Sequence, residues 1–144
     1  MGQHFSCRLP PTPSNVGVLI SGVESFLHAN GIPENHQHLF ALVLDEVLMN
    51  IVSYGFKADG NHFMEVSLTV AQGLVRTEVV DDGIAFNPLL SPDPDTTLGV
   101  EDREIGGLGL FLVKKLMDKV EYERRDNLNN LKFTKDCSAK GASS

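Results

Sequence analysis

The chain has 144 residues, 42% of them hydrophobic and 22% charged, with a formal net charge of −7. That length suits one ordinary domain with a real core, and the composition is that of a soluble globular protein. It excludes a membrane span, because no apolar run approaches ~18–20 residues, and it argues against a nucleic-acid surface, because Lys and Arg are few and scattered.

The N-terminus, Met1-Gly2-Gln3-His4, has neither the basic start nor the apolar stretch of a signal peptide, so a cytoplasmic setting with a protein partner is expected. Phe5 to Leu9 reads as a short strand, and Pro10, Pro11 and Pro13 interrupt regular structure after it. A first helix is predicted from an N-cap at Ser14, with Val16, Leu19, Ile20, Val23, Phe26 and Leu27 on one stripe and a stop at Asn30-Gly31. Pro33 opens a second helix from about Glu34 to Tyr54, with Leu39, Leu42, Val43, Val47, Ile51 and Val52 toward the core.

After Gly60 the period changes. Phe63 to Val70 and Leu74 to Val80 read as a hairpin around Ala71-Gln72-Gly73, ended by Asp81-Asp82-Gly83. Ile84 to Ile105 carries Pro88, Pro92 and Pro94 and no apolar period, a loop of about twenty residues; loops of that length are uncommon in a compact domain and are usually functional lids or disordered segments. A third helix is expected from Gly106-Gly107-Leu108-Gly109 to about Asp118. Val120 to Arg124 and Asn130 to Thr134 read as a closing hairpin around Asp126-Asn127. The order of elements predicts a two-layer α/β sandwich: a mixed, mostly antiparallel sheet with helices on one face. We expect a single domain over 1–144, with an ordered core from about 5 to 135 and a frayed polar tail from 136 to 144.

Three sets of residues bear chemistry. Glu46 and Asn50, four apart, share one helix face; an Asn carbonyl oxygen is a hard ligand for Mg²⁺, and a carboxylate one turn earlier can activate a hydroxyl or water beside a phosphate. Asp81 or Asp82 ends an apolar strand, where a buried carboxylate needs a donor. The exocyclic amine of adenine is one, whereas guanine presents a carbonyl, and Gly83 lets a ligand approach the backbone. Gly106, Gly107 and Gly109 precede a helix, whose free N–H groups attract phosphate oxygens. Singly, each has a bland explanation: a solvent-facing stripe, a turn, a tight junction. Together and in this order they predict an ATP site. Neither a Walker A loop nor a dinucleotide fingerprint is present.

The same stretches carry a family resemblance. Glu46 and Asn50 match the N box of the GHKL ATPases and kinases, Asp81-Asp82-Gly83 the first glycine box and Gly106-Gly107-Leu108-Gly109 the second. Leu44 to Val52, Asp81 to Pro88, Gly107 to Val113 and Leu116-Met117-Asp118 resemble the stand-alone anti-sigma factor serine kinases of the RsbW type, over about residues 5 to 135. The resemblance implies the Bergerat fold, Mg²⁺ and ATP as ligands, and a homodimer. It also implies serine/threonine-protein kinase activity on an anti-anti-sigma antagonist of a sigma factor. It implies Glu46 as catalytic base, Asn50 as metal ligand, and Asn50, Asp81, Gly83, Gly106, Gly107, Leu108, Gly109 and Leu110 at the nucleotide. An ATP-dependent sequestering module without transfer is the alternative. Ala85 departs from the D-x-G-x-G pattern of many members, although D-G-x-x-F is common in this branch. No phosphotransfer helix precedes the domain, so a complete sensor histidine kinase is not expected. Cys7 and Cys137 are expected as free thiols, and the five histidines as surface residues without a zinc site. Arg124 and Arg125, on alternate strand faces, are not expected to share a role.

Overall fold

Residue Thr12, not Ser14, begins the first helix. In the computed structural model, which describes residues 2–54, 61–85 and 113–138, α1 runs Pro13–Ala29 with Thr12 as its cap, the hydroxyl accepting from the Asn15 amide at 3.2 Å. Pro13 at the first helical position displaces the expected start, since its missing N–H is one the first turn does not use. At the other end, Gly31 takes φ +74°. Its amide donates to the His28 carbonyl, and the Ile32 amide reaches back to that of Leu27, both at 3.1 Å. This is a left-handed stop in which buried Ile32 packs back toward buried Leu27.

The second helix, α2, spans Glu34–Tyr54 as its pattern predicts, but its buried stripe is rotated. Phe40, Val43, Leu44, Val47 and Leu48 are buried, Leu39, Ile51 and Val52 are half-buried, and Leu42 is 49% exposed. At 3.6 residues per turn Leu42 lies about 200° round the axis from Phe40, so it cannot share that face. His36, one turn before Phe40, falls in the stripe and is buried, against the expectation of surface histidines.

Five strands complete the layer: β1 Gln3–Leu9, β2 Met64–Ala71, β3 Leu74–Asp81, β4 Lys119–Arg125 and β5 Leu128–Asp136, in the order β1-β2-β3-β5-β4. All four pairings are antiparallel, so the described sheet is antiparallel throughout rather than mixed. Gln72 and Gly73 (φ +54° and +81°) and Asp126 and Asn127 (+55° and +63°) make two-residue turns whose twist matches that of the strands they join. Met64, Val66, Leu68 and Val70 of β2, Val75 and Val79 of β3, and Leu131 and Phe133 of β5 face the helices, and with the α1 and α2 stripes they form one core. The α/β sandwich is thus as expected, with helices on one face.

The first residues of the expected tail, Asp136 to Ser138, are held against the sheet. β5 runs on to Asp136, Cys137 is buried, and its amide donates to the Gly73 carbonyl at 2.8 Å. Residues 113–116 are helical and lead straight into β4, with Val113 and Met117 buried. The expected start of this third helix, most of the predicted loop and the tail beyond Ser138 lie outside the described residues.

Candidate functional site

Strand β3 alternates Val75, Thr77, Val79 and Asp81 toward the helices, so its last inward residue is a carboxylate in an apolar row. Asp81 is 5% exposed. Its Oδ1 accepts from the Gly83 amide at 2.8 Å and from Asn129 Nδ2 at 3.0 Å. Burial raises its pKa above the usual carboxylate value, and these two hydrogen bonds oppose the shift without cancelling it.

Asp82 points elsewhere. Its Oδ1 accepts from the Phe63 amide at 3.0 Å and its Oδ2 lies 3.3 Å from His62 Nδ1, so it clips the start of β2 to the end of β3. Of the two adjacent carboxylates, Asp81 is the one at the inner face beside the buried Gly83.

The closing hairpin supplies three residues that sequence reasoning did not assign to the site. Asn129 sits opposite both Asp81 on β3 and Arg124 on β4. Its Nδ2 also donates to the Ile84 carbonyl at 2.8 Å, while its Oδ1 accepts from the Tyr122 hydroxyl. Arg124 Nη1 donates to the Gly83 carbonyl at 2.8 Å, whereas Arg125, on the other face, lies near Glu123. The signal for them was the Asp126-Asn127 turn: once it fixes register, Asn129 and Arg124 must be opposite one another.

Two contacts fix the direction in which α2 crosses the sheet. His36 feels the charges of Lys135 and Asp136 at the far end of β5, and Phe40 stacks on Phe133 at 6.3 Å, beside Thr77 of β3. From Phe40 the helix advances ~9 Å to Glu46 and ~15 Å to Asn50, while β3 advances ~13 Å from Thr77 to Asp81. Glu46 and Asn50 therefore arrive at the same end of the sheet as Asp81. Both are half-buried, and Asn50 Nδ2 donates to the Glu46 carbonyl at 2.6 Å, which turns its own carbonyl oxygen outward from that bond.

Gly106, Gly107, Leu108, Gly109 and Leu110 lie outside the described residues, and Ile84 and Ala85, the exposed first residues of the predicted loop, lead toward them. Among the described residues no three His, Cys, Asp or Glu side chains gather as a metal site, and no helix is long and apolar enough to cross a membrane. Both cysteines are free, and burial pushes the Cys137 thiol up to about 11.

The chain is similar to known proteins. The family profile described as "Histidine kinase-like ATPase domain" matches residues 9–135. The serine/threonine-protein kinase BtrW of Bordetella bronchiseptica is 32% identical over 93 residues, covering 65% of this chain and 66% of BtrW. The serine-protein kinase RsbW of Bacillus subtilis is 26% identical over 135 residues, 88% of this chain and 81% of RsbW. An anti-sigma F factor of Geobacillus thermodenitrificans is 26% identical, covering 68% and 67%. Among solved structures, the histidine kinase domain of the Erythrobacter litoralis EL346 blue-light activated histidine kinase shares the fold at a TM-score of 0.56 and 16% identity, covering 93% of this chain and 64% of that one. A histidine kinase-like profile that spans nearly the whole core, with relatives bearing the names of anti-sigma factors and serine kinases, places this chain in the GHKL family of histidine kinase-like ATPases.

Proposed function

We propose that this chain is an ATP-dependent serine/threonine-protein kinase of the anti-sigma type. In the cytoplasm it binds a sigma factor or similar regulator and phosphorylates a serine on the antagonist of that factor. The observation that carries this reading is the buried Asp81 carboxylate. Among the described residues both of its hydrogen bonds arrive on Oδ1, so Oδ2 is the oxygen that would accept from a ligand. An exocyclic amine satisfies it and a guanine carbonyl does not, which selects adenine. The names of the relatives support the kinase and anti-sigma assignments.

The donor chemistry of α2 fits Mg²⁺. Asn50 has its Nδ2 occupied, which leaves a hard carbonyl oxygen, and a lone side-chain ligand suits an ion that keeps several waters and binds substrate phosphates. When bound, the ion neutralises phosphate charge. Asn50 is the residue that would hold it, and the backbone from Gly106 through Leu110 would cradle the phosphates. In the transfer step the serine hydroxyl oxygen attacks the γ-phosphorus as its bond to the β–γ bridging oxygen breaks. The hydroxyl proton passes to Glu46, and ADP leaves.

One observation favours a second reading. Among the described residues no hydrogen bond orients the Glu46 carboxylate, as suits a module that uses ATP only to hold its partner. Incubation with radiolabelled ATP, Mg²⁺ and candidate antagonists separates the two. Phosphoserine in the wild type, reduced roughly 10²–10⁴-fold in Glu46→Ala, is expected. Partner binding that depends on ATP without any phosphoserine selects the sequestering module, and partner binding indifferent to ATP together with no phosphoserine overturns both. The family resemblance also supports a homodimer, which sedimentation equilibrium checks.

A further inference from the structure

We infer that Asn129, held in place by the Tyr122 hydroxyl, is a positioning residue that aims the Asp81 carboxylate at the amino group of the bound base. The inference rests on the adenine reading of Asp81 and deepens it.

A primary amide has two ends of opposite character, and a buried one must be told which way to face. Tyr122 does this. Lying on the inner face of β4 diagonally across from Asn129, its hydroxyl donates to Oδ1, an end that can only accept. The NH₂ end is thereby turned toward two acceptors at once, Asp81 Oδ1 at 3.0 Å and the Ile84 carbonyl at 2.8 Å. Asn129 is itself 6% exposed, so this chain from hydroxyl to amide to carboxylate runs where water competes little.

The amide acts on Asp81 in two ways. With Oδ1 occupied by Asn129 and by the Gly83 amide, the plane of the carboxyl is set and Oδ2 is presented in one direction. The Asn129 bond is also the largest influence keeping the group ionised against its burial, ahead of the Gly83 amide. The charges that bear on it are Asp82 on its own turn, which raises its pKa, and Arg124 from β4, which lowers it. Without the amide a larger share of Asp81 is protonated, and a protonated oxygen is a poor acceptor for an amine. The Ile84 bond extends the same control to the exit of the turn, while Arg124 holds the Gly83 carbonyl from the other side.

The experiment compares ATP with purine riboside triphosphate, which lacks only the exocyclic amine, by calorimetry on the full chain between pH 5 and 8. Wild type is expected to prefer ATP. Asn129→Ala is expected to weaken ATP by roughly ten- to a hundred-fold, to leave purine riboside triphosphate nearly unchanged, and to move the acidic limb of ATP binding to higher pH. Tyr122→Phe, which removes one hydroxyl, is expected to change ATP affinity in the same direction by less, and it keeps the test open if Asn129→Ala does not fold. Equal weakening of both nucleotides, with an unmoved pH profile, assigns Asn129 a merely structural role and overturns the inference. A wild-type protein that binds the two nucleotides equally overturns the adenine reading itself, a separate result.

Discussion

Asp81 is costly where it stands. Its pKa is raised by burial, so the ionised form is penalised in the fold, and the penalty is present at neutral pH and relieved as pH falls through the folded pKa. Asp81→Asn keeps an oxygen to accept from the Gly83 and Asn129 donors while discarding the charge. The expected outcome is a melting temperature without nucleotide that is unchanged or higher, together with loss of the thermal shift that ATP confers on the wild type; a melting temperature series with and without ATP checks both. Gly73 is constrained in the opposite sense, by space. It holds φ +81°, and a Cβ there would lie 2.6 Å from Ser138 Cβ and 2.7 Å from its Cα, where the end of β5 crosses the hairpin turn. Gly73→Ala is expected to destabilise by about 1–3 kcal/mol in urea melts, combining the left-handed strain with a backbone that must shift.

At the scale of elements, α1 depends on its cap. Thr12 satisfies the Asn15 amide, so Thr12→Ala is expected to lower stability by about 1 kcal/mol in denaturant unfolding, with ATP affinity intact because the hydrogen bonds that hold Asp81 and Asn129 run to Gly83, Ile84 and Tyr122 and not to α1. The contrast between helices shows what a single chain makes legible. The bounds of α2 were readable because Pro33 and the apolar period mark them, and so was the pairing of Glu46 with Asn50. Its buried stripe was not, because Leu39 through Leu44 are apolar throughout and periodicity alone cannot choose among them; packing against Phe133 made the choice. The hairpins were readable from their turn residues, one of them trimmed to two residues. The local pattern did not separate Asp81 from Asp82, since that lies in which side of β3 faces the helices; the family resemblance alone chose Asp81. The Asp126-Asn127 turn sets Asn129 among Tyr122 and Arg124, but its meeting with Asp81 comes only from a register that joins residues 48 apart in the chain.

Over the whole molecule, the end of the sheet opposite Asp81 carries a titratable group that nothing there employs. His36 is buried with no hydrogen bond to either ring nitrogen among the described residues, and its pKa is lowered, by burial first and by Lys135 second, against the pull of Asp118 and Asp136. A depressed histidine pKa means that the unfolded chain binds the proton more readily. The stabilising preference for the neutral ring is complete above about pH 6.5 and is lost as pH falls through the folded pKa. His36→Leu is therefore expected to be more stable than wild type near pH 5 by a margin that narrows toward pH 7.5, which urea melts across that range check. The strand order has another effect. On its other side from β2, β3 pairs with β5 rather than with β4, the next strand in the chain, so Asp81 meets Asn129 only after the whole of 82–128 has been looped out. Loop-closure entropy grows only as the logarithm of length, and doubling such a loop costs about 0.6 kcal/mol. The two hairpins form from local contacts, and two long-range zips, β1 onto β2 and β5 onto β3, complete the sheet. The stretch between Ala85 and Val113 lies inside that loop, so added length there costs the fold little, while the run Gly106 to Gly109 falls within it and is held by its own sequence rather than by the sheet's closure.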